Sequence, residues 1–192
     1  MDEPTAALAT AARRVVDAVV RAGGAVGDRS ADLAETLHAV ADELDKLAPP
    51  LADRMAAMWQ PLDSRPHNMV TGWENPLAPP VAIDRAEDGS VTGSMALGLP
   101  YQGPPGHLHG GMSALVMDHV LGLANIWAGN SGMTARLTLT FHRPLPLFTE
   151  LAVTGRQVAV DGRKIHSTGA IGTDDGPGVT AEGLFITPRS SR

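Results

Sequence analysis

Between residues 8 and 47 apolar side chains recur at alternating intervals of four and three. Leu8, Ala12, Val15 and Val19 form the first series, with Arg13, Asp17 and Arg21 lined up at intervals of four on another face, so the spacing predicts an amphipathic helix. The breaker AGGAVGD ends it. Ser30 then stands as an N-cap, and Leu33, Leu37, Val40, Leu44 and Leu47 repeat the spacing until Pro49-Pro50 stops the second helix. Two such helices and a Gly-rich turn predict an αα-hairpin, a packing or oligomerisation appendage. The Pro-rich run QPLDSRPHNMVTGWENPLAPP follows. The predicted organisation is a helical hairpin extension over 1–60, a Pro-rich linker over 61–80 and one domain over 81–192.

From residue 81 the period changes to two. VAIDR and SVTGSMALG flank the turn signal AEDG and read as a hairpin. In MTARLTLTF, Ala135, Leu137, Leu139 and Phe141 alternate with Thr134, Arg136, Thr138 and Thr140, the pattern of a half-buried strand. TELAVTGRQVAVD, RKIHSTGAIGT and GVTAEGLFITP continue in the same way. The turns between them are short, which makes neighbours antiparallel. Between the hairpin and these strands lies GPPGHLHGGMSALVMDHVLG, residues 103–122. Over 112–127 its apolar residues cover nearly every azimuth, and a helix apolar all round is a buried one. The predicted class is α+β, an antiparallel sheet that covers one long helix.

Composition narrows the chemistry. The 192 residues, 43% hydrophobic, suffice for one sizeable core. No cysteine is present, which excludes disulfides, thiolate metal sites and a cysteine nucleophile. The net charge of −6 argues against nucleic acid as a partner. Neither a basic leader with an apolar h-region nor eighteen consecutive apolar residues occur, so a cytoplasmic protein without a membrane span is expected. Locally, Arg136, Arg143, Arg156, Arg163 and Lys164 outnumber Glu150 and Asp161, a net of +3 that suits a small anionic ligand.

The buried helix carries two ionisable groups, Asp118 and His119. An unpaired carboxylate in an apolar interior costs several kcal/mol, so Asp118 must be hydrogen-bonded, neutralised or turned to a pocket where charge is used. At the N-terminus, Gly110 and Gly111 leave orphan N–H groups open to close approach, with the positive end of the helix dipole behind them. That is a site for a carbonyl becoming an oxyanion. Asp118 lies seven residues beyond Gly111, roughly 10 Å down the axis. Two copies with antiparallel helices satisfy the geometry, the glycines of one facing Asp118 of the other across a two-fold axis. A metal cluster of His107, His109, Asp118 and His119 is not expected, because adjacent helix residues diverge by about 100°. Ser113 lacks the glycine that a nucleophile elbow requires two residues later.

His109-Gly110-Gly111 with Asp118 nine residues after the histidine, followed by TARLTLTFHRPLPL, VDGRKIHSTGAI and AEGLFI in that order, resembles the hotdog-fold acyl-CoA thioesterases of the PaaI-like branch. The likeness covers residues 70–188. It implies a hotdog fold, an antiparallel sheet wrapped around a long central helix, assembled as a homodimer or dimer of dimers. It further implies that His109 and Gly110 of one subunit polarise the thioester carbonyl while Asp118 of the other activates water or attacks directly. Thr134 positions the water, and Gly111 is a second backbone donor. No metal and no separate cofactor is implied, coenzyme A being part of the substrate, with Arg143, Arg163 and Lys164 as candidates for its phosphates. One position departs from the family: several members carry Asn about six residues before the histidine, where this chain has Gly103 beside Gln102. The alternatives are a hotdog dehydratase or hydratase, and a catalytically weak acyl-CoA-binding module.

Overall fold

The computed structural model describes residues 3–57 and 66–189. The segments that alternate in sequence are strands: β1 (Val81–Arg85), β2 (Val91–Met95), β3 (Met133–Phe141), β4 (Leu151–Asp161), β5 (Lys164–Thr173) and β6 (Gly176–Ile186). All pair antiparallel in one sheet of order β1-β2-β4-β5-β6-β3. The helices are α1 (Glu3–Ala22), α2 (Ser30–Leu47), α3 (Leu51–Ala57) and α4 (Gly110–Trp127). Among the described residues no helix is long and apolar enough to cross a membrane.

α4 lies against the middle of the sheet, chiefly on β4 and β5. Val116, Met117, Val120 and Leu121 of the helix are fully buried, and Val153, Ile165, Ile171 and Phe185 meet them from the strands. The helix can come this close because two strand positions carry no side chain. A Cβ on Gly155 would stand 2.6 Å from Val120 Cγ1, and one on Gly169 would stand 2.5 Å from Met117 Cε. The sheet is thus hollowed along the line of the helix, which fixes where the helix N-terminus points.

Burial of α4 is not all-round. Ala114, Leu115, Asp118, Gly122 and Ile126, spaced along one face, are half exposed, and Gly111 at its head is exposed. The sheet supplies one wall, and the opposite wall is open in the single chain. The side that the sheet leaves open carries small residues and the carboxylate, which an apolar count over the sequence averages away.

β3 is the edge strand beside β6 and departs from strict alternation. The register shifts between Thr134 and Arg136, leaving Ala135 as a bulge. Opposite residues of an antiparallel pair share a face. Thr134 pairs with the buried Phe185, so it faces the helix side together with Leu137 and Leu139, which pair with Gly183 and Ala181. The alternation read from the sequence had set Thr134 and Leu137 on opposite faces.

At the N-terminal end the two amphipathic helices form as expected, but they do not pack on one another. Every residue of α2 is exposed. A 3-10 segment, Gly23–Arg29, joins the helices and turns the chain at Gly27, with φ of 50° and ψ of −132°. Ser30 has helical torsions and lies inside α2 rather than capping it. α1 docks on the body instead: Ala9 is buried, and the Arg13 guanidinium donates to the carbonyls of Ala78 (2.9 Å) and Asn75 (3.2 Å). Residues 66–80 carry few regular elements yet are anchored, with Val70 and Ala78 buried and Thr71 Oγ1 3.0 Å from His119 Nε2.

Candidate active site

The site begins at the turn before α4. His109 has extended torsions and caps the helix, its Nδ1 accepting the N–H of Gly111 at 2.9 Å. An accepting Nδ1 carries no proton, so the imidazole proton sits on Nε2. The N–H groups of Met112 and Ser113 both turn to the His109 carbonyl, at 2.9 and 3.3 Å. This leaves Gly110 as the helix-opening residue whose N–H is engaged by none of the described residues. The expectation of two backbone donors is corrected here: the Gly111 N–H is taken by the capping ring, and Gly110 alone offers its N–H at the positive end of the helix dipole.

The preceding loop is stitched into place by its own backbone. Gly103 N–H donates to the His107 carbonyl, His107 N–H to Pro104, and Leu108 N–H to Leu145. Gln102 Oε1 accepts the Gly106 N–H at 2.8 Å, and Gly106 holds a φ of +77° that favours glycine. A Cβ on Gly103 would stand 2.8 Å from His109 Cα. No side chain fits there unless the His109 backbone shifts, because the loop passes close behind His109.

Gly110 opens into a cleft of about 340 Å³, walled by His107, Leu108, Ser113, Phe141, Arg143 and Leu145 among others. The lining is mostly apolar. Phe141, at the end of β3, is 58% exposed, and its ring lies across Gly110, where a Cβ would stand 3.2 Å from Cζ. Its sequence position predicted a strand face but not this place at the mouth of a cleft. Arg143 brings the positive charge, and its guanidinium donates to the Gly176 carbonyl. Beside it His142 Nε2 lies 2.8 Å from Thr180 Oγ1.

Asp118 lies two turns down α4 on the open face. Among the described residues its carboxylate has neither a hydrogen-bond nor an ion-pair partner, and it is half-buried rather than enclosed. His119 points elsewhere, into the body toward Thr71. The single chain therefore keeps Gly110 and Asp118 apart along the helix, eight residues and so roughly 12 Å of rise. Thr134, on the helix side of the sheet because of the bulge, is the second residue of β3, the strand that follows α4.

The three candidate phosphate contacts are not together. Arg143 bonds Gly176, which pairs with Thr173 at the last residue of β5, whereas Lys164 is its first residue. A strand rises about 3.3 Å per residue, so the two cations lie roughly 30 Å apart on one chain. Arg163 stays with Lys164, its Nε donating to the Thr187 carbonyl at 2.8 Å.

Against known proteins, the chain matches the crystal structure of protein RHA08564, a thioesterase superfamily protein, with 48% identity, a TM-score of 0.83, and 95% of this chain and 94% of that one covered. The chain belongs to the thioesterase superfamily. Its sheet and central helix are the hotdog fold. The thioesterase superfamily model itself matches residues 105–179, which run from the loop before His109 to the strand wall of the cleft. A second model, described as the N-terminal helical domain of hypothetical protein RHA1_ro05818, matches residues 1–53, the thioesterase's helical extension. The acyl-coenzyme A thioesterase THEM4 of Bos taurus is 34% identical over 118 residues, 60% of this chain and 48% of that protein. That of Mus musculus is 38% identical over 68 residues, 35% of this chain and 29% of the other. The chain thus spans about half, or less, of the length of these curated relatives. A hypothetical thioesterase protein with coenzyme A from Streptococcus pneumoniae shares the fold, with 22% identity, a TM-score of 0.52, and 58% of this chain and 91% of that one covered.

Proposed function

We propose that this protein hydrolyses acyl-CoA thioesters to a free acid and coenzyme A, at sites shared between two subunits. One observation carries the reading: the Gly110 N–H is unengaged and opens on an apolar cleft, while the unpartnered Asp118 stands between Ala114 and Gly122 on the open face of α4. In the single chain each is half of a site. A two-fold pairing of α4 faces, eased by Ala114 and Gly122, brings Gly110 of one subunit opposite Asp118 of the other.

In that arrangement the thioester carbonyl oxygen accepts the Gly110 N–H, and the helix dipole favours the charge that develops on it. Asp118 takes a proton from water as the water oxygen attacks the carbonyl carbon, with Thr134 orienting it. The tetrahedral intermediate collapses, the carbon–sulfur bond breaks, and the departing thiolate takes up the proton that Asp118 accepted from water, which restores the carboxylate. His109 contributes by holding the first turn, which keeps the Gly110 N–H aimed at the cleft. Direct attack by the Asp118 carboxylate, followed by hydrolysis of the anhydride, uses the same two groups. The apolar cleft and Arg143 suit an acyl or pantetheine arm with anionic charge nearby. Arg163 and Lys164, roughly 30 Å away, can serve that substrate only from the partner subunit. THEM4 proteins being named acyl-coenzyme A thioesterases supports the choice of thioester.

The test is released thiol, followed across short, medium, long and aryl acyl-CoA substrates. The best substrate should lose about 10²- to 10⁴-fold in kcat with Asp118→Asn, while circular dichroism and sizing stay those of the parent. Wild-type turnover by Asp118→Asn overturns the assignment. Enoyl absorbance changing without thiol release would make the enzyme a hydratase, and tight binding with no turnover of any substrate would make it a binding module.

A further inference from the structure

The N-terminal arm presents two apolar seams that none of the described residues of its own chain covers. On α1, Leu8, Val15 and Val19 are each at least 39% exposed, and the helix is anchored through the neighbouring face that carries Ala9 and Arg13. On α2, Leu33, Leu37, Val40, Leu44 and Leu47 are all exposed. An isolated helix of this length is marginal in water, and a helix with an unburied stripe has no tertiary packing to sustain it. The 3-10 segment carries α2 away from α1, so each seam needs an external partner.

The two seams match one another. Leu33-Leu37-Val40-Leu44-Leu47 and Leu8-Ala12-Val15-Val19 share the four-three rhythm of paired helices. At about 1.5 Å per residue, the 18 residues of α2 and the 20 of α1 are of nearly equal length. Their charges are opposite. α2 carries Asp32, Glu35, Asp42, Glu43 and Asp45 against Lys46, a net of −4, whereas α1 carries Arg13, Arg14 and Arg21 against Glu3 and Asp17, a net of +1. Two α2 helices brought together would set net −4 against net −4. α1, at net +1 with Arg13 bonded to the body and Arg21 paired with Asp17, offers an apolar stripe free of that repulsion, and each further copy of the chain supplies one.

We propose that α2 of one chain docks on α1 of a second copy, and α2 of the second on α1 of the first, so that the arms are exchanged around a two-fold axis. Both seams are covered at once and the contact closes, which leaves neither seam open for further growth. This pairing is separate from the α4 contact and independent of catalysis.

The absence of cysteine allows a direct test on the full chain. One chain carries Val15→Cys at the middle of α1 and another Val40→Cys at the middle of α2. They are mixed, allowed to exchange, and treated with a bis-maleimide whose span matches the roughly 8–10 Å between packed helix axes. Mid-helix positions meet whether the helices run parallel or antiparallel. A product at twice the mass of one chain is expected from the mixture. Adding Leu37→Glu and Leu44→Glu should cut its yield by about tenfold or more while leaving the body folded, because α2 touches none of it. The proposal is overturned by any of four results. The mixture gives no linked product; its yield is indifferent to the Leu37→Glu and Leu44→Glu changes; Val40→Cys chains link to each other as readily as to Val15→Cys chains; or a Val15→Cys, Val40→Cys double variant closes only within one chain.

Discussion

At the residue scale the site turns on which N–H groups of the α4 first turn are already in use. The motif around His109, Gly110 and Asp118 was legible because it is a matter of residue type and spacing. That Gly111 is not a free donor was not, because it depends on how the His109 ring turns, and that is set by the loop behind it. The same loop explains Gly103, which a sequence records only as a missing asparagine. Since His109 is the N-cap, His109→Ala should destabilise the protein by about 0.5–2 kcal/mol in urea unfolding and lower kcat. Asn is a good N-cap and should recover most of the stability. Recovery of stability without recovery of rate would show that the imidazole does more than cap; an alanine variant as stable as the parent would remove His109 from the cap altogether.

Among elements, the strands were legible because alternation is local, and all six formed where the period of two ran. The Ala135 bulge was not legible, since a bulge is a property of the pairing between β3 and β6 and leaves no mark on β3 by itself. It decides whether Thr134 can take part, by returning it to the helix side. The N-terminal helices show the same boundary of inference: an amphipathic stripe states that a partner is wanted but not which, so the expected hairpin gave way to splayed helices. α3, after Pro49-Pro50, had no signal beyond a short run between breakers. How α1 sits can be read through Tyr101, the single tyrosine, on the 3-10 turn Leu99–Tyr101 beneath it. Burial raises its pKa above the ordinary value of about 10, and the nearby Arg13 charge offsets part of that rise. Because the folded value is the higher one, this group's contribution to stability is whole below about pH 10 and is lost as pH climbs toward the folded value. A tyrosinate absorbance titration should therefore have its midpoint above that of free tyrosine. A midpoint at or below it would mean that α1 does not cover this turn.

For the whole molecule, the open face of α4 is the feature on which assembly of a complete site turns. An apolar helix with a carboxylate and small residues on its uncovered side is a liability in a lone chain and an interface in a pair. The central claim is that Gly110 and Asp118 act across subunits, and mixing two dead variants tests it. Asp118→Ala removes the carboxylate. Gly110→Pro removes the N–H at the first helical residue; the extended torsions of His109 suit a residue before proline, and the exposed Phe141 ring, 3.2 Å from the added Cβ, has room to move aside. Both chains should fold, checked by circular dichroism and sizing, and each alone should be inactive. After unfolding and refolding together, random pairing gives about half heterodimers, each with one intact site made of Gly110 from one chain and Asp118 from the other. Thiol release should return to about a quarter of the wild-type rate per chain. If the two variants fold and pair but the mixture remains as inactive as its parents, the sites are not shared and Asp118 works within its own chain.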